Sequence, residues 1–149
     1  MTAIVFYFQV HQPYRLNRYR HDDVGTKKPW FDDPLNKLIV ERVAERCYLP
    51  MNAVVAELIE KTRGKFRCAY SLSGTVVTQL ERWAPKALDS FVSLSRTGAV
   101  EFICETGYHS LAAVTDLDEF RAQVAEQKER VKLYFGVQPR SFRNTELIL

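Results

Sequence analysis

Ile4-Val5-Phe6-Tyr7-Phe8-Gln9-Val10 runs directly into His11-Gln12-Pro13. The run is short, apolar apart from Gln9, and rich in β-branched and aromatic side chains, as a strand packed inside a parallel sheet is. Working outward, three later segments share this character and predict strands over residues 66–71, 99–104 and 141–147. Between them the apolar period changes from continuous to helical. After Asp33-Pro34, an N-cap followed by proline at the first helical position, Leu35, Leu38, Ile39, Val43 and Ala44 recur at helical spacing. A second helix is expected from near Pro50, through Val54, Val55, Leu58 and Ile59, to Gly64, which tolerates the positive φ that closes a helix. Residues 73–83 and 85–94 form two more helical stretches divided at Pro85 and closed by Gly98. From Asp118 the positions Phe120, Val124, Val131 and Phe135 predict a long amphipathic helix up to Gly136. Residues 14–33 carry no period and predict a long loop.

Strands alternating with helical crossovers give an α/β fold with a parallel sheet, because parallel neighbours cannot be joined by a tight turn. A chain of 149 residues, 46% of them hydrophobic, is long enough to bury a core and corresponds to one domain. Net charge is +3 with both signs interspersed. Arg15, Arg18, Arg20, Lys27 and Lys28 cluster near the start, but Asp22, Asp23, Asp32 and Asp33 lie among them, so a nucleic-acid partner is not expected. The opening apolar run lacks a basic leader, a cleavage site and spanning length, so neither membrane partner nor export is expected and the protein reads as cytoplasmic. Cys47, Cys68 and Cys104 are far apart, without a C-x-x-C pair, and read as reduced core residues rather than a disulfide framework or zinc site.

A polar group follows each strand: His11-Gln12-Pro13, Ser71-Leu72-Ser73-Gly74-Thr75, Glu105-Thr106-Gly107-Tyr108-His109-Ser110 and Asn144-Thr145-Glu146. The carboxyl ends of parallel strands are where α/β folds build their ligand sites. Strand parity puts Tyr7, Gln9 and His11 on one face, Glu101, Ile103 and Glu105 on one face, and Phe142, Asn144 and Glu146 on one face. A carboxylate such as Glu101 within a strand is costly unless hydrogen-bonded, which predicts a polar interior leading to a site. The Ser71 to Thr75 stretch has no glycine two positions before Ser73, so it is a helix-capping turn rather than a nucleophile elbow.

Phe6-Tyr7-Phe8-Gln9-Val10-His11-Gln12-Pro13 resembles the first conserved region of glycoside hydrolase family 57, Gly98-Ala99-Val100-Glu101-Phe102-Ile103 its second, and Arg143-Asn144-Thr145-Glu146-Leu147-Ile148 its third. Cys47-Tyr48-Leu49-Pro50, Tyr70 to Thr75 and Glu105 to Leu111 resemble the α-amylase-like branch, although Gly107 stands where that branch has an aromatic residue. The resemblance covers nearly the whole chain with its motifs in order. It implies an incomplete (β/α) barrel of the seven-stranded type, here with about four parallel strands and external helices, truncated after the fourth. It implies a retaining hydrolase or transglycosylase acting on α-glucans or oligosaccharides without a cofactor, with Glu146 as nucleophile. His11, Gln12, Glu101, Glu105 and His109 are the expected substrate-binding residues, and the family's general acid, an aspartate on a later strand, has no counterpart in this chain. Tyr14, Trp30, Phe31 and Tyr108 are aromatic candidates for stacking on sugar rings. Two other readings compete. A metal-dependent polysaccharide deacetylase would need at least three ligands, and only three histidines are present, with His21 in the charged loop. A non-catalytic carbohydrate-binding remnant would also account for the absent later strands.

Overall fold

The computed structural model describes residues 4–148. Three parallel strands, β1 (Phe6–Val10), β2 (Cys68–Leu72) and β3 (Val100–Phe102), lie in sequential order. Their register aligns Tyr7 with Ala69 and Ala69 with Glu101, and likewise Phe8 with Tyr70 and Tyr70 with Phe102. The described residues also form six α-helices: α1 (Asp33–Val43), α2 (Leu49–Lys61), α3 (Gly74–Trp83), α4 (Pro85–Ser95), α5 (Ala112–Thr115) and α6 (Leu117–Phe135).

The two faces of the sheet have opposite chemistry. Val10, Cys68, Tyr70, Leu72, Val100 and Phe102 face the helices and form the core with residues such as Val55, Leu80, Phe91 and Phe135. Phe102 stacks on Phe135 of α6 at 4.3 Å, and Tyr70 meets the edge of Phe91 of α4 at 5.5 Å, geometries that add to the area buried. Within this core the Tyr70 hydroxyl donates to Asn52, whose amide donates to Ser90. The other face carries Tyr7, Gln9, Ser71 and Glu101. Polar side chains persist there because they pair with one another, the Tyr7 hydroxyl with that of Ser71 at 2.6 Å and Gln9 Nε2 with Glu105 at 3.2 Å.

Several local details differ from expectation. Asp32, not Asp33, caps α1 by accepting from the Leu35 amide, so Pro34 sits one place deeper. No loop separates α1 from α2. Residues Ala44–Tyr48 form a wide π turn, in which bonding to the fifth residue relieves the demand that Pro50 could not meet in a regular helix. Cys47 is exposed, whereas Cys68 and Cys104 are buried. The 14–33 stretch is an ordered projection. Leu16 and Phe31 form an antiparallel bridge, and the amide of Asn17 donates to Trp30 O at 2.9 Å.

The expected fourth strand over residues 141–147 is the main correction. Among the described residues its only ladder contact is a parallel bridge between Cys104 and Phe142, with bonds of 2.9 Å from Cys104 N to Ser141 O and from Arg143 N to Cys104 O. The bridge continues the sheet beyond β3 in sequential order. The chain then turns, because the Asn144 side chain accepts from Thr145 N and donates to Ile148 O, diverting the backbone into a short 3₁₀ turn over Thr145–Leu147.

Candidate active site

Strand ends β1 and β3 and the turn after residue 141 deliver four functional side chains to one place. Glu105 is fully buried. Its Oε2 accepts a hydrogen bond from Gln9 Nε2 at 3.2 Å and lies 3.6 Å from His109 Nδ1. The same Gln9 nitrogen is 3.2 Å from His109 Nδ1. Nε2 faces Glu146 Oε1 at 3.3 Å. A carboxylate, an imidazole and a second carboxylate thus stand in line, with Gln9 bridging the first two.

His11 completes the cluster by stacking on His109, ring centres 4.4 Å apart. Its Nδ1 is held by the Ser73 hydroxyl at 2.7 Å and lies 3.3 Å from that of Thr75. Ser73 also caps α3, as the capping-turn reading required. Burial lowers the His11 pKa from 6.5 to about 4, helped by the neighbouring His109 and Arg15, so this imidazole is neutral at physiological pH. Burial acts oppositely on Glu105. It raises that carboxyl above its ordinary range, against the opposing pull of the Gln9 hydrogen bond, His109 and Arg143. Among the described residues Glu105 Oε1 has no hydrogen-bond partner, nor has Arg143 Nη1. Arg143 lies over the ring of Tyr7, its guanidinium carbon 5.2 Å from the ring centre.

His109 and Glu146 both adopt positive φ, 53° and 52°. Non-glycine residues rarely do so, and strained backbone of this kind concentrates where side-chain placement matters for function. Glu146 is mostly exposed, its side chain 74% accessible against 0% for Glu105.

The expected convergence therefore holds for His11, Glu105, His109 and Glu146 and fails for two residues. Glu101 shares the face of Glu105 but lies four residues, roughly 13 Å, nearer the amino end of the sheet. There it accepts from Ser141 Oγ at 2.6 Å and lines a separate cavity with Arg67 and Arg140. Gln12 turns to the helical side, away from this cluster, donating to Tyr48 and accepting from Arg15. The predicted shared orientation of Phe142, Asn144 and Glu146 is also corrected. Phe142 packs edge-on against Phe120 of α6, and Arg143 occupies the polar face. Gln9 was not singled out as a site residue, although its parity with His11 signalled it. Among the described residues no group of three or more His, Cys, Asp or Glu is placed to hold a metal ion, and no helix is long and apolar enough to cross a membrane.

A parallel α/β sheet with a polar, two-carboxylate cluster at its strand ends is the kind of scaffold on which barrel glycosidases are built. The chain belongs to glycosyl hydrolase family 57, whose family model matches residues 5–149. It is 39% identical over 147 residues to a protein of Methanocaldococcus jannaschii named "Putative alpha-amylase", covering 97% of this chain and 31% of that one. The chain thus spans about a third of the length of that curated relative. Its fold is similar to the 4-α-glucanotransferase of Thermococcus litoralis, with a TM-score of 0.70 at 19% identity over 95% of this chain and 18% of that one. It is also similar to the α-amylase AmyC of Thermotoga maritima, with a TM-score of 0.64 at 13% identity over 98% of this chain and 36% of that one.

Proposed function

We propose that these residues are the amino-terminal segment of a seven-stranded-type catalytic barrel that cleaves or transfers α-glucosidic bonds with retention, Glu146 being the nucleophile. The observation that carries this reading is the hydrogen-bonded line Gln9, Glu105, His109, Glu146 at the carboxyl ends of the strands. Family membership and the "Putative alpha-amylase" relative support the choice of α-glucan.

In the proposed chemistry a Glu146 oxygen attacks the anomeric carbon as the bond to the departing oxygen breaks, and that oxygen takes a proton from a general acid. Water or an acceptor hydroxyl then displaces Glu146, giving its own proton back to the acid residue. His109, anchored on Glu105 through Gln9, holds one oxygen of Glu146 and leaves the other free to attack. His11, neutral and pinned by Ser73, offers a sugar hydroxyl a partner without placing a fixed positive charge in the site.

Glu105 is a positioning residue rather than the acid. An imidazole and two polar contacts separate it from Glu146, well beyond the about 5 Å that retaining carboxyl pairs keep. The acid is therefore supplied from outside the described residues, and this chain alone should show little or no turnover. In a version extended through the remaining barrel, Glu146→Gln should abolish hydrolysis and transfer on maltooligosaccharides while leaving circular dichroism unchanged. Near-normal turnover of that variant would mean that another residue is the nucleophile.

A further inference from the structure

His109 and Glu146 face each other from two different turns, both at positive φ. Little around it fixes the Glu146 carboxylate. Its side chain is mostly exposed, and among the described residues its one hydrogen-bond partner is His109 itself. The carboxylate is therefore placed by the backbone of its turn, where φ is 52° at Glu146 and 58° at Leu147, values that such residues rarely adopt unaided.

Thr145 is the only buried residue of that turn. Its hydroxyl meets that of Thr106 at 2.9 Å, one donating to the other. Thr106 in its turn organises the backbone around His109. Its carbonyl oxygen accepts from His109 N at 3.2 Å and its Oγ1 from Ser110 N at 3.0 Å. Ser110 Oγ donates to the buried Gln123 of α6 at 2.7 Å, which ties this turn to a helix packed on the core. Both threonines are buried, so water does not compete for the pair. Packing alone would be met by valine, which has the same shape. The hydroxyls add direction, since a hydrogen bond fixes distance and angle between the two turns whereas apolar contact lets them slide.

We propose that Thr106 and Thr145 are positioning residues, their buried hydroxyl pair locking the Glu146 turn to the His109 turn and so aiming the attacking carboxylate. The catalytic half of this rests on the reading of Glu146 as nucleophile; the link between the turns does not. Neither threonine acts on substrate. Without the lock the groups that bind substrate stay in place while the carboxylate swings, so the loss falls on kcat rather than KM, and a misplacement of about 1 Å costs up to about a hundredfold.

Two measurements test this. In the 149-residue chain, amide hydrogen exchange reads the link itself. Thr145→Val should speed exchange about tenfold or more at Leu147 and Ile148 and, across the pair, at His109 and Ser110, while the bridge amides of Cys104 and Arg143 keep wild-type rates. Thr145→Ser, which keeps the hydroxyl, should leave every one of these amides near wild type. In the chain extended through the remaining barrel, Thr145→Val should lower kcat on maltohexaose about tenfold or more with KM within about twofold. Thr145→Ser should restore most of kcat, and adding Thr106→Val to Thr145→Val should cost little further, because the pair is already broken. Thr145→Ala serves the same comparisons if valine prevents folding. Wild-type exchange at His109 and Ser110 in Thr145→Val would overturn the lock, and so would an equal loss of kcat in Thr145→Ser. Wild-type kcat in Thr145→Val beside an inactive Glu146→Gln would overturn the positioning role and leave the nucleophile standing. Full turnover of Glu146→Gln with the exchange coupling intact would overturn the nucleophile, and with it the catalytic half of the proposal, and leave only the link.

Discussion

Replacing Glu105 by Gln should make the folded chain more stable at alkaline pH while impairing the site. Glu105 is fully buried, and only its Oε2 has a hydrogen-bond donor, Gln9. An unsatisfied buried polar atom costs about 1–3 kcal/mol and a charged one more, and here Gln9, His109 and Arg143 offset part of that. Gln is nearly isosteric, its one oxygen can still accept from Gln9, and the atom then left unpaired is a neutral amide nitrogen rather than a carboxylate oxygen. The sign follows from the raised pKa. Below the unfolded carboxyl's pKa both states are protonated and the group contributes nothing. As pH rises through the folded value, the native state must ionise a buried acid and loses stability. Wild type and variant should therefore match near pH 4. By pH 8 the variant should gain about 1 kcal/mol, or roughly 2–4 °C in Tm for a chain of this size. Thermal unfolding followed by circular dichroism at both pH values measures this. A variant less stable than wild type at pH 8 would refute the reasoning, because ionised Glu105 would then be a net stabilising partner of His109 and Arg143.

Two further outcomes follow from the same site. His11 has a folded pKa of about 4 against 6.5, so it contributes no pH dependence above about 6.5 and costs stability as pH falls from there toward 4; the nominal ~3 kcal/mol, discounted for a half-exposed ring, is on the order of 1 kcal/mol, and His11→Asn should flatten that slope in urea titrations at pH 7 and 4.5. Gly74→Ala would place a Cβ 1.8 Å from Arg130 Nη1 and 2.8 Å from Gly107 O; the arginine can swing aside but the carbonyl cannot, so a loss of about 1–3 kcal/mol is expected in the same titration, and an unchanged midpoint would show that the β2–α3 and β3–α5 turns are not tightly packed.

The elements whose period is long or whose neighbours are paired were legible in the sequence. β1 to β3 and their crossovers appear where apolar runs alternate with helical spacing, and Gly136 closes α6 in the left-handed region. Residues 141–147 read equally well as a strand. What decides otherwise is local, since Asn144 caps a turn and Glu146 and Leu147 adopt positive φ, features that a run of strand-forming residues does not disclose. Parity correctly put Glu101 on the face of Glu105, but parity says nothing of height along the sheet, and the two carboxylates meet different partners. Parity also separates His11 from Gln12, and the structure sends Gln12 to the helices accordingly. The line from Gln9 to Glu146 depends on the turn that raises His109, whose φ of 53° is invisible in composition or spacing.

The claim that Glu146 is the nucleophile is tested most directly by trapping. A 5-fluoro-α-glucosyl fluoride carries a leaving group that needs little protonation, and the electronegative ring substituent slows release of the glycosyl-enzyme, so the attacked residue can be found by peptide mass mapping. In the chain extended through the remaining barrel, the account predicts one added fluoroglucosyl group on the peptide containing Glu146, absent from Glu146→Gln. An adduct on Glu105, on Glu101 or on a carboxylate outside this segment, with Glu146 unlabelled, would contradict it.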